Sequence, residues 1–162
     1  MTGRLAAITV LLGALIVIIS QVVPAYALEN ELGEVLETVT LLSKHGVITA
    51  ILGLVSALAL VFAVATGNRS ATIVVIGMGV AVILVFLIVD VPDIGGTGMF
   101  NTEVAGNIDA TGKGEAGLWL ELVGGVILVL GGLALRTLNE AQLRSIGPRI
   151  TGDAAGTKEE TP

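Results

Sequence analysis

Four long apolar segments alternate with polar connections along this chain of 162 residues. They cover residues 5–27, 46–65, 71–89 and 116–135. A helix rises about 1.5 Å per residue, so roughly 20 apolar residues span a hydrocarbon core about 30 Å thick. Each segment meets that length. The pattern therefore predicts an all-α fold, a four-helix transmembrane bundle over residues 1–146.

The polar connections differ in pattern. Apolar residues recur at spacings of three and four between Leu32 and Leu42, which predicts a short amphipathic helix that lies on the outer membrane surface or caps the bundle. The alternative for this segment is an ordered linker. Glycine, Thr, Asn and Asp dominate residues 90–115 and predict a long outer loop without regular structure. Helix four is expected to continue to Ile146, where Gly147 and Pro148 end it. Residues 147–162 are predicted to form a disordered cytoplasmic tail.

The first apolar segment fits two interpretations. It follows Arg4 and ends in Ala25-Tyr26-Ala27, a small-x-small sequence of the kind that signal peptidase cleaves. Cleavage after Ala27 would leave three helices, whereas a retained segment gives four. In either case Leu28 lies outside the membrane, and the rest of the topology is unchanged.

Basic residues are distributed unevenly between the two sides of the predicted bundle. The side that holds both termini and the connection after helix two carries six of the eight Lys and Arg residues. Basic residues near helix ends are retained in the cytoplasm during insertion. We therefore expect a multi-pass protein of the cell membrane with both termini cytoplasmic.

Composition excludes several kinds of chemistry. The chain has no cysteine and one histidine, which removes disulfides, thiol nucleophiles and sites built on several histidines. A net charge of -6 gives no reason to expect nucleic acid as a partner. We expect no cofactor, no metal and no enzymatic activity, since no set of acid, base and nucleophile is apparent. The expected partners are the lipid bilayer and either another membrane protein or further copies of the chain.

Small residues recur at intervals of three or four along the predicted helices. Such positions let the backbones of membrane helices approach closely. The candidate packing positions are Gly117, Gly124, Gly131, Gly53, Ala57, Gly77 and Ala81.

Glu121 is the one acid inside a predicted transmembrane helix, and its spacing places it on the glycine face of that helix. An acid within a membrane helix is costly and often marks an ion or proton pathway. Glu121 is therefore the candidate ion-coupling residue. The alternative, which the sequence favours, is a carboxylate at the outer interface that contacts water or pairs with Lys113 or Lys44.

Two weaker candidates lie in the connections. His45 follows Lys44 at the outer end of helix two and is expected to be an interfacial polar residue rather than a pH sensor. Four acids in the glycine-rich connection have no EF-hand spacing, so solvated acids are expected rather than a calcium site. They are Asp90, Asp93, Glu103 and Asp109.

From Asp90 onwards the chain resembles small four-helix membrane proteins of actinobacteria. The resemblance lies in three short sequences: Val91-Pro92-Asp93, Gly117-Leu118-Trp119-Leu120-Glu121-Leu122-Val123-Gly124 and Thr137-Leu138-Asn139-Glu140-Ala141-Gln142-Leu143-Arg144. It covers less than half of the chain and implies a four-helix fold in the cell membrane. That family carries no established activity, so no functional residue transfers from it.

These observations favour a non-enzymatic integral membrane protein, an accessory or interaction subunit of a membrane assembly. The predicted helices contain few polar residues to line a path, and their Gly/Ala faces suit association. The alternative is a small oligomeric transporter or channel that uses Glu121.

Overall fold

The computed structural model describes residues 2–30, 32–45, 47–102 and 106–147. Within them the helices are α1 (Thr2–Ser20), α2 (Leu41–His45), α3 (Ile48–Thr66), α4 (Ser70–Val85), α5 (Ala116–Arg136) and α6 (Glu140–Arg144). A π-helical turn, Phe86–Asp90, and a 3-10 turn, Val91–Asp93, extend α4. The strands are β1 (Pro24–Glu29), β2 (Val35–Thr40), β3 (Thr97–Thr102) and β4 (Gly106–Gly114).

Four segments of the described chain are helical, long enough and apolar enough to cross a membrane: Gly3–Ser20, Ile48–Thr66, Ser70–Asp93 and Ala116–Arg136. Their outer faces carry large exposed side chains, such as Leu58 at 59% and Phe62 at 53%. Lipid, rather than water, suits such faces. The prediction of four helices that could span a membrane is confirmed in length and composition.

The two ends of the bundle differ in structure. At one end α3 and α4 are joined by a tight turn, in which Gly67 has a left-handed backbone (φ 71°). We call this end the turn side; it also holds the start of α1 and the end of α5. The connections at the other end form a β-sheet, and we call that end the sheet side.

The sheet makes the fold mostly helical rather than all-α, which corrects the predicted fold class. Its four strands in the described residues are antiparallel and stand in the order β2-β1-β4-β3. The central pair joins the two connections, with Tyr26 opposite Gly114 and Glu29 opposite Thr111. Neither connection shows this pairing by itself, because the two strands lie more than 80 residues apart in the chain.

The prediction of an amphipathic surface helix between α1 and α3 was wrong. Helix α1 ends at Ser20, four residues before Pro24, whose ring would clash with the Ser20 carbonyl if the helix continued. Residues 24–29 then form β1, and the cleavage point considered after Ala27 falls within this strand. β2 pairs with β1 and is rich in β-branched residues, which favour a strand. Only the short helix α2 follows it.

The glycine-rich connection after α4 also has regular structure, contrary to the prediction. β3 and β4 form a hairpin in which Thr97 is opposite Thr111 and Phe100 is opposite Ile108. The Gly95 N–H donates to the Gly112 carbonyl at 2.7 Å, which holds the start of the hairpin. Gly95 has φ 75°, a conformation that glycine adopts readily. Backbone pairing therefore gives regular structure to a segment whose composition cannot build a packed core.

Helix α5 lies between α1 and α4, and glycines let all three approach closely. A Cβ at Gly124 would stand 2.6 Å from Val17 Cγ2, and one at Gly131 would stand 2.7 Å from Val10 Cγ2. Gly117 meets the Val23 and Pro24 carbonyls of the segment that follows α1. On the neighbouring face of α5, Gly125 and Gly132 contact α4 in the same way. The predicted glycine stripe thus lies against α1.

The other predicted small residues lie in different surroundings. Gly53 of α3 faces α1, where a Cβ would be 3.1 Å from the Ala14 carbonyl oxygen, and Ala57 is partly buried against the core. On α4, a Cβ at Gly77 would meet nothing within 4 Å, whereas one at Gly79 would be 2.9 Å from Leu128 Cβ. Gly79, rather than Gly77, therefore packs against α5. Ala81, one turn from Gly77, is partly exposed.

Helix α5 ends at Arg136, ten residues before the predicted end at Ile146. A new helix, α6, begins after Asn139, whose side chain accepts from the Gln142 N–H in a capping box. The Arg144 side chain donates to the Thr66 carbonyl, so α6 covers the end of α3. The predicted disordered tail lies outside the described residues, apart from Gly147.

Candidate functional site

Buried polar side chains gather at the sheet-side end of the helices. The π-helical turn at the end of α4 carries Asp90, which is fully buried. Such wide turns change the direction of a side chain relative to an α-helix and often occur at functional sites. The next turn, Val91-Pro92-Asp93, redirects the chain and places Asp93 at the surface with 45% of its side chain exposed.

Tyr26 connects the sheet to this turn. Its hydroxyl lies 3.0 Å from Asp90 Oδ1 and 2.9 Å from the Asp90 carbonyl oxygen, both of which accept from it. Burial raises the pKa of Tyr26, and the neighbouring Asp90 charge raises that pKa further. Tyr26 therefore remains a neutral phenol that donates to Asp90.

Lys44, near the end of α2, contributes a positive charge to the cluster. Its Nζ is 3.0 Å from Asp90 Oδ1, 2.7 Å from Asp93 Oδ2 and 2.9 Å from the Tyr26 hydroxyl oxygen. The same ammonium lies 4.4 Å from the centroid of the Tyr26 ring, a cation–π distance. Helix α2 is fixed at its start by Thr40, whose hydroxyl accepts from the Ser43 N–H. This short helix holds Lys44 over the end of α4.

Glu121 lies one layer deeper in the bundle. It is fully buried, and neither of its carboxyl oxygens has a hydrogen-bond partner among the described residues. Its polar neighbours are the side chains of Asp90 and Thr49, and the charge of Lys44 also reaches it. Thr49 of α3 is fully buried too, and its hydroxyl likewise has no partner in the described part of the chain. The deepest side chains of the cluster therefore have polar atoms without hydrogen-bond partners among the described residues.

Beyond Glu121 the described interior is mainly apolar as far as the turn side. Fully buried aliphatic residues fill it, among them Val10, Val17, Val75, Val82, Leu128 and Leu135. Two buried hydroxyls there bond to nearby backbone. Ser56 donates to the Leu52 carbonyl of its own helix, and Thr72 donates to the carbonyl of Arg69, the residue before α4. The polar cluster thus enters the bundle from the sheet side and ends near Glu121.

Other residues singled out in the sequence lie away from this cluster. Lys113 pairs with Glu29 across β4 and β1 at 3.1 Å and does not meet Glu121. Asp109 is exposed on β4. Glu103 and the side chain of His45 lie outside the described part. The described residues contain no group of three or more His, Cys, Asp or Glu side chains arranged to hold a metal.

The sequence pointed to Glu121 but not to its surroundings. Thr49 looks like an ordinary residue of an apolar helix, and Tyr26 stands out only as the middle residue of Ala25-Tyr26-Ala27. The available signal for Asp90 was its position at the end of an apolar segment, directly before Val91-Pro92. Its contact with Lys44 depends on two connections that fold against each other.

Comparison of the chain with protein-family models, with curated proteins and with solved structures finds no match.

Proposed function

We propose that this chain is a non-enzymatic subunit of a membrane assembly, to which it contributes the buried carboxyl site at Glu121. The observation that carries the proposal is the position of Glu121, fully buried and without a hydrogen-bond partner among the described residues. A buried acid in a membrane helix costs free energy that an apolar residue would avoid. A role in binding an ion or a proton explains its presence.

The depth of the cluster supports a subunit rather than a transporter that acts alone. Polar groups reach from the exposed Asp93 to Glu121, and packed aliphatic side chains and glycines fill the described interior beyond it. An ion or proton needs polar groups or water along its whole path. A complete path would thus need surfaces from another protein or from further copies of this chain.

An open stretch of α4 supports association with another helix. Gly77 has free space where a Cβ would stand, and Ala81 lies one turn away on the same side. Small residues spaced by four let a second membrane helix approach closely. The second candidate function is a small oligomeric transporter or channel, in which copies meet along this face and Glu121 lies near the path.

Isolation of the chain from its native membrane in mild detergent tests the proposal. We expect a complex larger than one chain, with a second protein in fixed ratio, and a Gly77→Leu variant should lose that protein while remaining folded. Proton or sodium flux should appear in liposomes that contain the complex and fall with Glu121→Gln, but not with Asp109→Asn. Flux by the purified chain alone would instead support the oligomeric transporter. A monomer without partner or flux would contradict both functions.

A further inference from the structure

We infer that the ligand of the buried site is a proton, held between the carboxyl groups of Glu121 and Asp90 and exchanged with the sheet side through Lys44 and Asp93. The inference rests on the proposed role of Glu121 and names the ligand of that site. It follows from the number of hydrogen-bond donors, the arrangement of charges and the gradient of exposure through the cluster.

The hydrogen-bond donors of Lys44 and Tyr26 are already engaged. A lysine ammonium has three N–H groups. Those of Lys44 are directed to Asp90 Oδ1, Asp93 Oδ2 and the Tyr26 hydroxyl at 2.7–3.0 Å. The Tyr26 hydroxyl, in turn, donates to Asp90. Neither of these residues has a donor left for Glu121, so among the described residues only the neutral Thr49 hydroxyl is placed to donate to an ionised Glu121.

A proton on one of the two carboxyl groups allows Glu121 and Asp90 to form a hydrogen bond with each other. An ionised carboxyl group only accepts hydrogen bonds, so two adjacent carboxyl groups can bond to each other only when one of them is protonated. Lys44 and Tyr26 both stabilise a negative Asp90, which leaves Glu121 as the group that carries the O–H. A neutral Glu121 can then donate to Asp90 or to the buried Thr49 hydroxyl. The site would hold a carboxylate, a carboxylic acid and an ammonium.

A metal ion fits the same groups poorly. Sodium and calcium require several oxygen ligands around one position, yet Asp90 Oδ1 is already bound by Lys44 and Tyr26. The Lys44 ammonium would also repel a second cation beside Asp90. The arrangement therefore favours a proton over a metal cation.

Exposure falls along the chain of groups from the sheet-side surface inward. The exposed fraction of the side chain is 45% for Asp93 and 19% for Lys44, and Asp90 and Glu121 are fully buried. Short contacts join the outer groups, 2.7 Å from Asp93 to Lys44 and 3.0 Å from Lys44 to Asp90. Lys44 can give a proton to Asp90 and take one from a protonated Asp93, which restores its charge. Glu121 lies at the inner end of this route.

Infrared spectroscopy of the purified full-length chain in detergent micelles tests the inference. At neutral pH, the spectrum of the unaltered chain minus that of Glu121→Gln should show a carboxylic-acid C=O stretching band. The band should be absent in Glu121→Gln whichever of the two carboxyl groups carries the proton, because Asp90 then pairs with Lys44 as a carboxylate. Glu121→Asp should keep a carboxylic-acid band, and Asp109→Asn should leave the spectrum in this region unchanged.

Three further measurements separate the possible outcomes. A saturating concentration of sodium or calcium should leave the band in place; loss of the band would identify a cation site and overturn the inference. In oriented liposomes the band should respond to the pH on the sheet side only, and a response from the turn side alone would exclude the route through Lys44. A difference spectrum with carboxylate bands alone would show that Glu121 is ionised. The infrared measurements use the isolated chain, whereas the subunit proposal is tested by isolation of a complex. Either proposal can therefore be contradicted while the other stands.

Discussion

The Lys44 ammonium lies 3.0 Å from the Asp90 carboxylate and forms an ion pair with it at the sheet-side end of the bundle. The two residues are separated by 46 positions in the chain. Asp90 is fully buried and Lys44 is largely so, and the pair joins α2 to the π-helical turn of α4. This contact both anchors the sheet to the helices and supplies the positive charge next to Glu121.

Replacing Lys44 by Met should be strongly destabilising. It would remove the Lys44 ammonium from the buried Asp90, and breaking a buried pair in this way costs about 3–5 kcal/mol. The measurement is the free energy of unfolding in detergent micelles, followed by the fluorescence of Trp119, the one tryptophan. Lys113→Met is the control, because its pair with Glu29 is exposed and such pairs contribute about 0–1 kcal/mol. Equal losses of unfolding free energy in the two variants would show that the Lys44–Asp90 pair contributes no more than the exposed Lys113–Glu29 pair.

Tyr26 should resist ionisation in the folded protein. Burial and the Asp90 charge raise its pKa, whereas in the unfolded chain the phenol has its ordinary pKa of about 10. Its contribution to stability is therefore complete below pH 10 and falls as the pH rises above that value, because only the unfolded state releases the proton. Tyr26 is the one tyrosine, so phenolate absorbance reports it alone. Phenolate should appear together with unfolding; a titration near pH 10 in the folded chain would contradict the buried position.

Two glycines of α4 should respond oppositely to alanine. A Cβ at Gly79 would lie 2.9 Å from the Val129 backbone nitrogen, so Gly79→Ala should destabilise the bundle by about 1–3 kcal/mol. At Gly77 nothing lies within 4 Å, so alanine should be neutral or stabilise the helix by up to about 1 kcal/mol. Free energies of unfolding in micelles would compare them. A large loss of stability in Gly77→Ala would mean that α4 is rotated about its own axis, with Gly77 facing a neighbouring helix.

The close contact between α1 and α5 predicts a loss of stability on substitution of Gly124. A Cβ there would be 3.0 Å from the Val17 backbone nitrogen, so Gly124→Leu should separate the helices and cost at least the usual overpacking penalty of about 1–3 kcal/mol. Val126→Leu is the matched control, because Val126 is 39% exposed on the outer face of α5. The same unfolding measurement applies. Similar losses at both positions would argue against a specific glycine face.

Cysteine labelling would establish the orientation in the membrane. The chain has no cysteine, so single cysteines at Asp109 on the sheet side and at Glu140 on the turn side report unambiguously. The distribution of basic residues predicts that a membrane-impermeant reagent reaches Asp109→Cys in intact cells and does not reach Glu140→Cys. The reverse pattern would place the sheet, and the entrance to the Glu121 site, in the cytoplasm.

The sequence by itself determined the four membrane-length helices. Long apolar segments specify such helices locally, because a bilayer demands internal hydrogen bonds and about 20 apolar residues whatever the neighbouring elements are. The spacing of Gly117, Glu121 and Gly124 on one helix face is equally local, so the face that packs against α1 could be anticipated.

Only the tertiary structure decided the sheet and the polar cluster. β1 and β4 have no strong pattern of their own, and their register arises from hydrogen bonds between connections that are distant in sequence. The segment around Val35 fits a helical or a strand period equally well over so few residues, and pairing with β1 selects the strand. Once the sheet forms, it brings Tyr26 and Lys44 over Asp90. The surroundings of Glu121 thus depend on contacts between distant segments, which no local pattern of residues specifies.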